Sequence, residues 1–161
     1  MNLIQVNPQS HRRRMAKYKN NSLRTLGIIE VVLGLMLLVG GCVAISFGDE
    51  YTGYLLGAVV LLVIGGVQSM LFYSDHRMAP SICILMMTFA WLIAFLVISI
   101  PFLWEGFAWY DALFESVSGI TTTGSTIVPD VESLPRSLLF WRSFTQWVGG
   151  FAIVMMFMFL I

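Results

Sequence analysis

Ser118–Thr126 reads S-G-I-T-T-T-G-S-T, a run of hydroxyl residues and glycines between two stretches rich in Leu, Val, Ile, Met and Phe. Its reading decides the fold. As a surface turn it would merely join two helices of a bundle. As irregular backbone at membrane depth it would have to be buried in protein or line water, because lipid offers its amides and carbonyls no partners.

The surroundings favour a membrane. The 161 residues are 58% hydrophobic and 11% charged, whereas a soluble domain carries about a quarter charged residues. A spanning helix needs about 20 apolar residues, and Leu26–Phe47, Tyr54–Tyr73 and Ser81–Leu103 meet that requirement. A fourth run, Phe140–Ile161, opens with Arg142, Ser143, Thr145 and Gln146 and is then apolar to the last residue. Between the third and fourth runs, Ala108–Ser118 (A-W-Y-D-A-L-F-E-S-V-S) predicts a helix of about three turns, with Asp111 near its N-terminus and Gly119 as its stop. A loop with Pro129, Asp130, Glu132 and Pro135 follows the threonines. A helix too short to span, followed by irregular backbone, is the pattern of a re-entrant segment.

Charge placement supplies orientation. Arg12, Arg13, Arg14, Lys17, Lys19 and Arg24 precede the first run and Arg77 lies between the second and third, with only Arg136 and Arg142 on the other side. That bias places the N-terminus in the cytoplasm. Asp49, Glu50, Glu105, Asp111, Asp130 and Glu132 fall on or near the outer side, where an acidic mouth concentrates cations, although outer loops merely poor in bases give the same picture. A net charge of zero offers nothing to nucleic acid. Cys42 and Cys83 read as buried small apolar residues, and His11 and His76 lack a second ligand at metal spacing. The weak cleavage-box pattern Val39–Cys42 follows too long a basic region and apolar run for a signal peptide. Convergent catalytic groups are too few for an enzyme.

A cation crossing a bilayer exchanges its hydration shell for protein oxygens, which several backbone carbonyls facing one lumen supply. Glycine permits the dihedrals this needs, hydroxyls add oxygens, and a short preceding helix aims its negative C-terminal end at the ion. Thr121-Thr122-Thr123-Gly124-Ser125 after a short helix contains these parts. A Thr-rich turn remains the plain alternative on composition.

The wider stretch Ser118–Gly150, S-G-I-T-T-T-G-S-T-I-V-P-D-V-E-S-L-P-R-S-L-L-F-W-R-S-F-T-Q-W-V-G-G, resembles the first pore repeat of the Trk/Ktr potassium uptake family, best its TrkH-type membrane subunits. Asp111–Ser116, D-A-L-F-E-S, is similar to that family's pore helix, while Ile120 stands where Phe is more usual. The resemblance implies an all-α integral membrane fold: two extra N-terminal transmembrane helices, then a helix–pore helix–filter–helix repeat of a potassium-channel-like pseudo-tetramer. The expected division is a basic cytoplasmic segment 1–25, a two-helix hairpin 26–79 and a first pore repeat 80–161. Within the repeat the parts are helix 81–103, pore helix 108–118, filter 121–125 and helix 140–161.

By the same resemblance Thr122 and Thr123 offer potassium-coordinating oxygens with Thr121, Gly124 is the filter glycine and Ser125 lies towards the outer end. Potassium is then the transported ion, not a catalytic cofactor. The implied setting is a bacterial inner membrane with lipid, a homodimer and a cytosolic nucleotide-binding regulatory subunit. The departure is one T-T-T-G-S segment where the family has four repeats, so remaining repeats or further copies are required. A fragment is the expectation, because the sequence ends inside or at the end of a helix. The alternative is a truncated, non-transporting membrane protein or interaction module that keeps one pore repeat.

Other residues carry lesser expectations. Glu30 is an intramembrane acid near a helix end that can snorkel to the interface. Glu115 is placed to brace the filter. Gly53 and Gly57 permit close helix packing. Trp104, Trp109 and Trp141 fit an outer aromatic belt. Met86, Met87, Met155, Met156 and Met158 read as packing and lipid contact. Arg142 and Gln146 share a helix face and suit anchoring of the outer loop.

Overall fold

A helix crosses lipid with its backbone amides paired internally, and the apolar runs fold accordingly. The computed structural model describes residues 8–72 and 80–160, with side chains from Asn20 in the first helix, from Ile82 in the third and up to Met158 in the last. The helices are α1 Pro8–Phe47, α2 Thr52–Leu71, α3 Pro80–Ile98, α4 Ile100–Trp104, α5 Trp109–Ile120 and α6 Arg136–Leu160, with a 3-10 turn at Val131–Ser133. No strand occurs among the described residues. The chain is an all-α membrane protein.

Three stretches are long and apolar enough to cross a bilayer: Asn20–Phe47, Thr52–Leu71 and Ile82–Trp104. The third runs through α3 and α4, whose ladder is interrupted where Pro101 has no N–H to donate. The fourth apolar run lies in the 25-residue α6, which starts at Arg136, one turn before Phe140. At 1.5 Å per residue, the 40 residues of α1 extend about 60 Å, twice the hydrocarbon thickness, so its basic first turns reach beyond the apolar part. Tyr73, His76 and Arg77 lie outside the described residues, as do the side chains of His11, Arg12, Arg13, Arg14, Lys17 and Lys19.

The exposed side chains of Val32, Leu35, Val59, Val63, Ile84 and Leu96 would be a liability in water and are ordinary against lipid. Cys42 belongs to this outward surface; the expectation that it is buried is corrected, since lipid rather than protein can cover an apolar helix face. Inside, α1 and α2 meet backbone to backbone. A Cβ on Gly27 would lie 2.7 Å from the Gly65 carbonyl oxygen, and one on Gly65 would lie 2.5 Å from that of Gly27. Glu30 sits at this seam, its Cβ 2.8 Å from where a Gly65 Cβ would be, and its Oε2 is covered without a hydrogen bond. Gly53 and Gly57 likewise admit Trp104 and the pair Leu37 and Ile100.

Trp141 requires a second correction. It is fully buried, edge-on to Tyr54 at 5.5 Å, and its Nε1 donates to the Ile98 carbonyl at 3.1 Å. An indole N–H buried with its ring needs a partner, and the break between α3 and α4 presents one. Trp104 and Trp109 are exposed. Beside this cluster the Ser137 amide, in the first turn of α6, donates to Asp49 Oδ2 at 2.8 Å, so the turn after α1 caps α6.

Candidate functional site

The helix α5 begins at Trp109, just past the end of the third span. Its C-terminal Ile120 shares a cavity with Leu33 and Met36 of α1 and with Ala90, Trp91 and Ala94 of α3. Those residues lie near the midpoints of the spans Asn20–Phe47 and Ile82–Trp104. Twelve residues rise about 18 Å, roughly half the hydrocarbon thickness. The helix thus runs from the end of a span to its middle and stops there. Ser116 Oγ ties it laterally to the Phe95 carbonyl of α3 at 2.5 Å.

Gly119 does not stop the helix. It lies inside α5, where its missing side chain makes room for Thr145 of α6, whose Oγ1 would be 2.9 Å from a Cβ at that position. The stop comes at Thr121 (φ −81°, ψ 0°), followed by Thr122 at φ +61°. The amide of Thr122 donates to the Gly119 carbonyl (2.9 Å), and those of Thr123 and Gly124 donate to the Ser118 carbonyl (3.0 and 3.3 Å). These bonds satisfy the carbonyls that a helix end leaves open. A β-branched residue at positive φ is a genuine outlier, costing about 1–2 kcal/mol. Gly124 follows at φ +73° with nothing within 4 Å of where its Cβ would be. The segment is therefore a turn of alternating φ sign.

Thr122, Thr123, Gly124 and Ser125 are exposed and Thr121 is half-buried. Thr121 Oγ1 bonds back to the Val117 carbonyl at 2.7 Å and lies 2.9 Å from Thr123 Oγ1. Among the described residues, the carbonyls of Thr121, Thr122, Thr123 and Gly124 accept no hydrogen bond. The Ser125 carbonyl is different, because it accepts from Ser118 Oγ at 2.5 Å. The segment thus carries four carbonyls in a row without a partner, and its outer end is pinned.

The pinning involves residues that sequence reasoning left without a role or only suspected. Glu115 Oε1 accepts from Thr126 Oγ1 at 2.6 Å and from the Ile127 amide at 2.9 Å. Glu115 Oε2 forms an ion pair with Arg142 Nη1 of α6, so Arg142 reaches α5 and not the outer loop. Glu115 and Ser118 stand one turn apart on α5, a spacing that puts both on one face. The glycines Gly149 and Gly150 were visible only as part of a motif. A Cβ on Gly149 would fall 1.9 Å from the Ile120 carbonyl oxygen, and one on Gly150 would touch Thr122 Cγ2 at 3.6 Å. The α6 backbone is the floor on which the end of α5 rests.

The TrkH family model, described as a cation transport protein, matches residues 57–161. An uncharacterized cation transporter of Methanocaldococcus jannaschii is 34% identical over 142 residues, covering 83% of this chain and 29% of that protein. The Trk system potassium uptake protein TrkH of Halomonas elongata is 32% identical over the same coverage. The Trk system potassium uptake protein TrkG of Escherichia coli K12 is 54% identical over 46 residues, 29% of this chain and 10% of that protein. The chain thus spans 29% of the length of the first two relatives.

Proposed function

Because the chain belongs to the TrkH family of cation transport proteins, we propose that it supplies one wall of a potassium-uptake pore, residues 80–161 being the first pore repeat. The observation that carries this is the row of unpaired carbonyls at Thr121–Gly124, at the end of a helix that stops at mid-span depth. Thr122, Thr123 and Gly124 are exposed, and at membrane depth an unpaired carbonyl costs free energy unless water or a cation meets it. A desolvated potassium ion supplies the missing partner, and the C-terminal end of α5 adds its partial negative charge. Alternation of φ sign along Thr121–Gly124 supports the reading, since such a backbone turns successive carbonyls towards one side where a β-strand alternates them.

Roles follow residue by residue. Thr122, Thr123 and Gly124 offer carbonyl oxygens, with Thr121 at the inner end of the row. Ser125, whose carbonyl is engaged by Ser118, offers its hydroxyl at the outer end. One segment is a quarter of a ring, so three more come from further repeats or further copies. The basic residues before the first span support a cytoplasmic N-terminus, and the bacterial relatives support a bacterial inner membrane. The membrane potential, about 2.3 kcal/mol per 100 mV for each charge, then draws cations inward. A homodimer and a cytosolic nucleotide-binding regulatory subunit complete the assembly. The chemistry is transfer between oxygen shells, with no covalent step.

Rubidium uptake in cells lacking their own potassium systems tests the proposal. The Gly124→Asp protein should reach the membrane yet lose uptake, because the carboxylate projects into open space beside the carbonyl row while strained backbone disturbs it. Undiminished uptake by that variant would remove Gly124, and the segment with it, from the ion path.

A further inference from the structure

We infer that the buried Glu115–Arg142 pair is a positioning element that sets the geometry, and therefore the cation preference, of the Thr121–Ser125 segment; this rests on the pore reading above. The Glu115 side chain is 1% exposed and that of Arg142 11%. Glu115 has no line of access to the open face of the segment and cannot itself be an ion ligand there. It lies behind that face, between α5, α6 and the returning chain.

The donor count explains why a carboxylate stands here. One oxygen takes the Thr126 hydroxyl and the Ile127 amide, and the other takes the Arg142 guanidinium. The Thr126 hydroxyl oxygen in turn accepts from the Val128 amide at 3.1 Å. Only an ionised, acceptor-only group with two oxygens serves donors from two directions. A glutamine of the same shape must turn its NH2 either on the guanidinium or on the Thr126 and Ile127 donors. With Ser118 holding the Ser125 carbonyl, residues 125, 126 and 127 are each gripped from one face of α5. The inner end is fixed by the amides of Thr122, Thr123 and Gly124 folding back on α5. The four free carbonyls hang between these two anchorages. Arg142 extends the outer anchorage to α6, so the returning chain cannot move away from α5 without breaking a buried ion pair.

Ligands to an ion depend on the groups behind them, whose loss typically lowers affinity 10–100-fold. The test compares Glu115→Gln and Arg142→Lys in the protein expressed in its native form, in cells lacking other potassium uptake. Rubidium uptake is measured against concentration, and against competing sodium, alongside the amount of protein in the membrane. The Glu115→Gln protein should require a roughly 10- to 100-fold higher rubidium concentration for half-maximal uptake and should discriminate less against sodium. Arg142→Lys retains the charge and should shift both readouts less. A purely structural role would change the amount of protein or the maximal rate, leaving KM and discrimination at wild-type values, and that result overturns the inference. Should Glu115→Gln fail to accumulate, the same KM and discrimination readings on Arg142→Lys decide. Gly124→Asp runs in parallel. If it transports normally the pore reading fails, whereas if it is dead and Glu115→Gln behaves as wild type, only the positioning role fails.

Discussion

Gly149→Ala probes the contact on which the site rests. The added methyl carbon would sit 1.9 Å from the Ile120 carbonyl oxygen, 2.7 Å from its carbon and 3.0 Å from its Cα. All three are backbone atoms, so no side-chain rotamer relieves the clash. An ordinary carbon–oxygen contact needs about 3.3 Å, so α6 and the end of α5 must part by more than about 1 Å. Overpacking of this kind costs about 1–3 kcal/mol, and the change from glycine to alanine within a helix returns about 1 kcal/mol at most. The clash wins. Because residue 120 immediately precedes Thr121, the displacement passes directly into the carbonyl row.

The expected outcome is a purified protein whose unfolding midpoint falls by up to about 8 °C, a net loss of about 2 kcal/mol at 2–4 °C per kcal/mol. Rubidium uptake should fall further than the amount of folded protein does. Gly66→Ala is the matched control, since Gly66 lies in α2 with nothing within 4 Å of its Cβ position. It should leave both the midpoint and the uptake at or above wild type. Wild-type melting and uptake in Gly149→Ala would refute the contact, and equal damage in the control would show that helix substitution, and not this clash, is responsible.

Two further outcomes are expected. Trp141→Phe removes the donor to the Ile98 carbonyl and leaves that group buried and unpaired; the loss should be about 1–3 kcal/mol in a denaturation measurement. Burial, then the charges of Asp49 and Glu50, push the Glu105 carboxyl above its usual range, so the folded chain holds that proton more tightly than the unfolded one. Stability is therefore fully supported below the ordinary value of 4.5 and declines as pH rises through the raised one. Thermal midpoints recorded across that window should decline in the wild type and flatten in Glu105→Gln.

What could be read in advance was whatever depends on composition along one element. Spans, the short helix and the irregular hydroxyl segment follow from runs of apolar residues and their interruption. What could not be read depends on a second element. Gly119 looks like a helix stop, since glycine commonly ends helices; it lies inside α5 because α6 brings Thr145 against it. Trp141 looks like a belt residue until the α3–α4 break offers its N–H a partner. Cys42 looks buried because sequence does not distinguish a lipid-facing side from a protein-facing one. The pair Glu115 and Arg142 is 27 residues apart, with no periodicity to link them.

The positive φ at Thr122 joins these points. A glycine would adopt that conformation at no steric cost, so the chain accepts about 1–2 kcal/mol of strain there. It can do so because both sides of the residue are over-determined: three amides fold back onto α5, and the exit is held by Ser118 and Glu115. Strain of this kind persists only where the surroundings impose it, and such residues gather at functional sites. Here the imposed turn has a definable product, four carbonyls with no internal partner. The strain, the anchors and the unpaired oxygens are three aspects of one arrangement, the one that the proposed pore reading requires.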